Sequence, residues 1–267
     1  MIELTFTTCQ APIAEPMCAD VVRYLADRLQ IAARFIADVT WQEREQMLDE
    51  GRVDVGWICG APYVRKVDEQ RASIELLAAP VCAAPRYQNR PIYFSDVVVH
   101  TESAYRTFDD LRGVRWACNA YGSHSGYHAV RYHLARLGLT GNFFGRVIES
   151  GSHQRSVEMI LNREADVSAI DSTVLELITA CQPELSQQLR VIEVIGPSSQ
   201  PPWVIGRHVP EDWRRALREV LTHMHADAQG SALLARHRLA RFAPVADSDY
   251  DDVRAMLKIA DRQGVRL

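Results

Sequence analysis

Between Val114 and Leu139 the chain reads as a strand, a small polar turn and a helix. Val114-Arg115-Trp116-Ala117-Cys118 is an apolar run of strand length, and Asn119-Ala120-Tyr121-Gly122-Ser123-His124-Ser125-Gly126 is small and polar. Tyr127, Val130, Leu134 and Leu137 then recur at helical spacing, with Gly138 as a stop. A helix that starts at such a turn points unpaired N–H groups outward, and its dipole puts about half a positive charge there. Ser123 and Ser125 add two hydroxyls that can donate to the same point, which is equipment for an oxyanion. An ordinary N-cap explains a lone Ser-x-Ser-Gly as readily, so the weight falls on recurrence. Ser150-Gly151-Ser152-His153 follows a strand ending at Glu149 and opens a helix carrying Val157, Ile160 and Leu161. A third strand, from Ala165 to Ile170, ends in Asp171, with Asp166 at its entrance. In a parallel α/β sheet such turns lie along one edge, where ligands bind. Two helix starts, a histidine and an acid at successive strand ends favour an anion site.

The rest of the chain supplies the frame. Strands are expected over 2–7, 34–39, 53–58, 74–81, 92–99, 114–118, 143–149, 166–170, 191–195 and 203–206. Helices are expected over 17–30, 41–51, 123–137, 153–164, 172–181, 211–226, 229–237 and 249–263. The alternation argues for mostly parallel sheets with right-handed crossovers. Breaks near Pro85, Asn89 and Pro91, and again over residues 196–202, imply two crossings between two lobes. The expected division is lobe 1 over 1–92 and 197–267 and lobe 2 over 93–196, with a ligand cleft and hinge closure between them.

Composition excludes several classes. The 267 residues suit two lobes or one large α/β unit. A net charge of −4 without a basic block speaks against nucleic acid or an anionic membrane as partner. No apolar run approaches the roughly 20 residues of a membrane span. Ile2 to Thr7 already alternates as a strand, with no leader features before it, so the chain as written reads as cytoplasmic. The alternative is a periplasmic protein whose leader has been removed. The six cysteines form no C-x-x-C pair and read as free, mostly buried thiols, which favours a reducing compartment.

Other chemistries find little support. His124 and His128 lie four apart, yet lack the acid of a zinc-helix motif and sit at the positive end of a helix. Gly122 to Gly126 has histidine where a nucleophile elbow needs serine. A Ser–His hydrolase would need an orienting acid, a place open to Asp171. Trp57, Trp116, Trp203 and Trp213 read as packing, and no Gly-rich nucleotide fingerprint or Walker sequence is present. No cofactor and no metal is expected.

Five segments in order resemble the phosphate/phosphite/phosphonate-binding proteins of ABC importers. They are Val53–Val64 (VDVGWICGAPYV), Tyr93–Val99 (YFSDVVV), Thr107–Leu134, Phe143–Ser172 and Ser198–Pro210 (SSQPPWVIGRHVP). The resemblance implies an α/β, two-lobed periplasmic-binding-protein type II fold and a non-enzymatic solute-binding protein. The ligand would be a small phosphorus oxyanion, taken up by an ABC transporter or sensed in the cytoplasm. The alternative is a cytoplasmic enzyme of the same fold acting on a small anionic metabolite. By resemblance, Ser123 and Ser125 hold phosphono oxygens, His153 donates to another, and Tyr93 reaches in from the hinge strand. Asp171 accepts the proton of a ligand oxygen or meets a ligand amine, and Tyr63 walls the pocket from the first lobe. His124 stands where the family commonly has Thr, and Gln200-Pro201-Pro202 lacks the acid of members that take aminophosphonates. The partners implied are the oxyanion and an ABC permease, and the chain itself is a monomer or weak dimer.

Overall fold

The computed structural model describes residues 2–139 and 143–267. In chain order the strands and helices are β1 (Glu3–Thr8), α1 (Glu15–Leu29), β2 (Ala32–Ile36), α2 (Trp41–Asp49), β3 (Val55–Trp57), α3 (Gly60–Asp68), β4 (Ile74–Cys82), β5 (Ile92–His100) and β6 (Arg115–Cys118). After a π turn over His124–His128 come α4 (Ala129–Arg136), β7 (Arg146–Glu149), α5 (His153–Leu161), β8 (Val167–Asp171), α6 (Ser172–Cys181), α7 (Leu185–Gln188) and β9 (Leu189–Ser199). The chain closes with β10 (Trp203–Gly206), α8 (Glu211–His223), α9 (Ala228–Arg236), β11 (Leu239–Ala243) and α10 (Asp251–Arg262).

The chain divides into two compact units. One is Met1–Ile92 with Ser199–Asp251, the other Tyr93–Ser198 with Asp252–Leu267. The first holds a six-stranded sheet in the order β11-β4-β10-β3-β1-β2. Its β1, β2 and β3 run parallel, and β10 lies antiparallel between β3 and β4. Both β3 and β10 are buried along their whole length, which is why they read as continuous apolar runs rather than alternating ones. Helix α1 covers this sheet with Met17, Cys18, Val21, Val22 and Leu25. The buried guanidinium of Arg44 is matched by Glu15 at 2.8 Å and by the Thr8 carbonyl at 2.9 Å, as a buried charge requires.

The second unit holds five strands in the order β7-β6-β8-β5-β9. Strand β6 pairs parallel to both β7 and β8, and β5 runs antiparallel to β8. The carboxyl ends of β6, β7 and β8 therefore share one edge. Its core gathers Trp116, Val97, Val130, Leu134, Phe108, Phe143 and Phe144. Asp166, expected at a strand entrance, holds Arg115 there with both carboxylate oxygens, Nε at 3.0 Å and Nη2 at 2.8 Å.

Several expectations are corrected. Residues 252–267, assigned from the sequence to the first lobe, belong to the second unit. Val265 is fully buried in that unit's core, and Arg131 ties the tail down, Nε donating to the Val265 carbonyl at 2.7 Å and Nη2 to Asp261 at 2.8 Å. The break expected over residues 196–202 begins late, because β9 runs on to Ser199. Helix α3 and strand β11 were not anticipated. Gly60-Ala61-Pro62 resembles a loop, but proline is tolerated in a first helical turn, where its missing N–H has no partner to lose. None of the helices among the described residues is long and apolar enough to cross a membrane.

The tail contact gives a stability test. Arg131→Ala should cost about 1–3 kcal/mol in urea unfolding, since it strips a buried carbonyl of its donor. Asp261→Ala, at the exposed end of the same ion pair, should cost less than about 1 kcal/mol.

Candidate functional site

Three turns leave the shared edge of the second unit's sheet, and each must satisfy N–H groups at the start of a helix. Ser123 Oγ accepts from Gly126 N at 3.2 Å. Ser152 Oγ accepts from Arg155 N at 3.1 Å. Asp171 Oδ1 accepts from Thr173 N at 2.8 Å and from its hydroxyl at 2.7 Å. Thus Ser123 takes the ordinary N-cap part, and Asp171 is a cap as well. With capping done by these three, Ser125 and His153 are left to face one another.

They do so directly: Ser125 Oγ lies 3.0 Å from His153 Nε2. The two turns, 28 residues apart in the chain, are joined by that contact. Next to Ser125, His124 Nε2 lies 2.9 Å from Ser198 Oγ at the end of β9. The ring of Tyr93, at the start of β5, stands 6.3 Å from the His124 ring, tilted by 56°. His124, Ser125, His153, Tyr93, Asp171 and Ser198 are all buried, while Ser123 is half-buried. The second unit thus carries six of the seven residues singled out from the sequence, with Ser125 against His153 and Tyr93 beside His124. Tyr63 belongs to the first unit, where its hydroxyl donates to Asp247 at 2.7 Å and its ring packs 4.8 Å from Tyr250.

Burial alone pushes His124 down to about 4 and His153 down to about 3. Both imidazoles are neutral at pH 7, and each keeps a buried Nδ1 without a hydrogen-bond partner. Burial raises Asp171 to about 6, against the hydrogen bonds from Thr173 and the Val174 backbone that favour its carboxylate, and the charge of Asp96 adds to the rise. At pH 7 the edge therefore carries the mostly ionised Asp171 carboxylate, and its donors are hydroxyls and neutral imidazoles.

The turn itself is built tightly. The chain closes a π turn, with His128 N bonded to the Ser123 carbonyl at 3.1 Å. This breaks the four-residue register that would set His124 beside His128. His124 turns to Ser198, and His128 Nδ1 meets Arg131 at 3.3 Å. Among the described residues no group of three or more His, Cys, Asp or Glu is placed to hold a metal ion. A Cβ on Gly126 would stand 1.9 Å from Asn119 Oδ1, so a side chain there would force the Asn119 amide to move.

Ser198, Asn119 and the π turn were missed from the sequence. Ser198 lies 74 residues from His124, and its only signal was its place at the head of a resembling segment.

Two α/β units in one chain, with ligand-type turns along a sheet edge, make up the type II periplasmic-binding-protein fold. A family model described as "ABC transporter, phosphonate, periplasmic substrate-binding protein" matches residues 8–250, and the chain belongs to that family. It is 22% identical over 220 residues to the phosphonates-binding periplasmic protein of Escherichia coli K12. That match covers 80% of this chain and 63% of the relative's length. Among solved structures, the binding protein component of an ABC phosphonate transporter from Pseudomonas aeruginosa superposes with a TM-score of 0.84 at 20% identity, covering 98% of this chain and 88% of that one. A protein of Prochlorococcus marinus, solved with methylphosphonate, gives 0.83 at 14% identity, covering 97% and 98%.

Two predictions follow from this geometry. Gly126→Ala should destabilise by about 1–3 kcal/mol through overpacking, although alanine normally helps a helix. Gly122→Ala, with open space around its Cβ position, should be close to neutral in the same denaturant melts. The buried groups also set the pH dependence. The unfolded state binds protons at both histidines as pH falls below about 6.5, whereas the folded state resists until about 4 and 3. Stability tied to the histidines is therefore present above about 6.5 and lost on acidification. Asp171 works the other way, since its folded form takes a proton at about 6, before the unfolded chain does. Urea midpoints should fall between about pH 6.5 and 4.5, more steeply in Asp171→Asn and less steeply in His153→Gln.

Proposed function

We propose that this protein is the solute-binding component of an importer for a small phosphorus oxyanion such as phosphate, phosphite or a short phosphonate. The seat of the anion is the cluster on the second unit. The observation that carries the reading is the 3.0 Å contact between Ser125 Oγ and His153 Nε2, in a chain of the phosphonate-binding family. A hydroxyl and a neutral imidazole own two acidic hydrogens between them. One serves their mutual bond, and the other is available to an oxyanion, whichever ring nitrogen carries it. Hydrogen bonds to a charged acceptor in a buried site are the strong kind. Backbone N–H groups at the starts of the helices add to them. Ser123 shapes the turn, and Tyr93 forms one wall beside His124. Asp171 holds the entry to α6.

The same pair argues against hydrolysis. A serine nucleophile needs a base whose far nitrogen is fixed by an acid. His153 Nδ1 has no such partner, and Asp171 Oδ1 is taken by Thr173. A histidine pushed down to about 3 is also a poor base at pH 7. On this reading an ABC permease is the partner and the periplasm the working compartment, in place of the cytoplasm.

Isothermal titration should show one site for methylphosphonate, phosphite or phosphate. Ser125→Ala should weaken it about tenfold to a hundredfold, the worth of a hydrogen bond to a charged group, with an unchanged circular dichroism spectrum. Heats of dilution alone with all three anions would refute the proposal.

A further inference from the structure

The geometry points to His124 as the residue that reads a hydrogen on the bound anion, through a lone pair on Nδ1 fixed by Ser198 and Met256. This rests on the oxyanion-binding reading above and deepens it.

The argument is a count of hydrogens along one chain of contacts. Ser198 Oγ lies 3.7 Å from Met256 Sδ on α10, as donor to it. A thioether sulfur has no hydrogen to give, so any hydrogen in that contact is the Ser198 one. With the ring hydrogen of neutral His124 on Nε2, Ser198 Oγ accepts it at 2.9 Å and both hydrogens are bonded. With it on Nδ1, a buried N–H would have no acceptor, so Nε2 is the favoured position. Nδ1 is left as a bare lone pair, buried and without a partner. The neutrality of the ring follows from its full burial, with no charged group acting on it.

A buried lone pair repels a bare anionic oxygen and favours one that carries a hydrogen. The Ser125–His153 pair supplies a donor, and His124, the preceding residue of the same turn, supplies an acceptor. The anion that satisfies both has at least one ionised oxygen and one hydroxyl on the same centre. Singly ionised phosphonates, phosphite and phosphate qualify, whereas sulfonates of the same shape and charge do not. Asp171 was the sequence candidate for this acceptor; its Oδ1 takes both Thr173 hydrogens, and an Asp171→Asn control separates its other oxygen from His124.

The test separates the tautomer from the binding. Long-range proton–nitrogen correlation spectra of the full chain with labelled histidine should show His124 protonated on Nε2, assigned against His124→Gln. Met256→Leu conserves volume, removes the sulfur and frees the Ser198 hydrogen, so the ring should shift toward Nδ1 protonation. In titrations at a pH where both anions are singly charged, methylphosphonate should bind roughly tenfold to a hundredfold more tightly than methanesulfonate. His124→Phe should abolish most of that preference, and Met256→Leu should reduce it. Nδ1 protonation in the unsubstituted protein, or equal affinity for the two anions, overturns this inference while leaving the binding proposal intact. No binding of either anion removes the binding proposal and this inference together.

Discussion

Everything at the candidate site depends on how the helix starts at one sheet edge satisfy their N–H groups. A parallel sheet delivers β6, β7 and β8 to the same edge, and each is followed by a turn into a helix. Those helix starts would be costly if left unpaired. Ser123, Ser152 and Asp171 take up that duty. Their neighbours Ser125 and His153 are thereby released from local backbone work and meet across the edge. Backbone capping and longer-range contacts compete for the same polar side chains in such turns, and here the two are divided between neighbouring positions.

The division explains why the sequence could be read as far as it was. The alternation of apolar runs with helical spacings exposed the α/β class, because β3, β6 and β8 are buried on both faces and write that burial as unbroken apolar stretches. The turns were visible because serine, glycine and histidine cluster at strand ends. What stayed hidden was longer in range or weaker in pattern. The tail beyond Asp251 joins the second unit through Arg131 and Val265, more than 120 residues apart, and no local spacing encodes such a contact. Helix α3 begins with Gly60-Ala61-Pro62, whose composition imitates a loop. Strand β11 is five residues with a partly polar pattern, paired only to β4. The π turn differs from an α turn by one hydrogen-bond step, and periodicity over five residues does not resolve it.

The π turn also decides which histidine does what. In an ordinary helix His124 and His128 would share a face, the ground on which the sequence reading weighed a metal and set it aside. The widened turn sends His124 toward Ser198 and His128 toward Arg131. Gly126 makes the turn possible by letting Asn119 approach where a side chain would stand. Such single π turns recur at functional sites.

A candidate site whose donors are neutral behaves unlike one built around arginine or lysine. A buried cation would attract any anion, largely irrespective of where its hydrogens lie. Hydroxyls and neutral imidazoles carry direction instead: each must donate or accept, and the wrong match leaves a buried polar atom unpaired. Burial, which holds His124 and His153 uncharged, is therefore the same property that makes their hydrogen positions matter. Fold likeness at 14–20% identity fixes the scaffold and says nothing of those positions. They turn on this chain's own contacts, among them the serine 2.9 Å from His124 and the thioether beyond it.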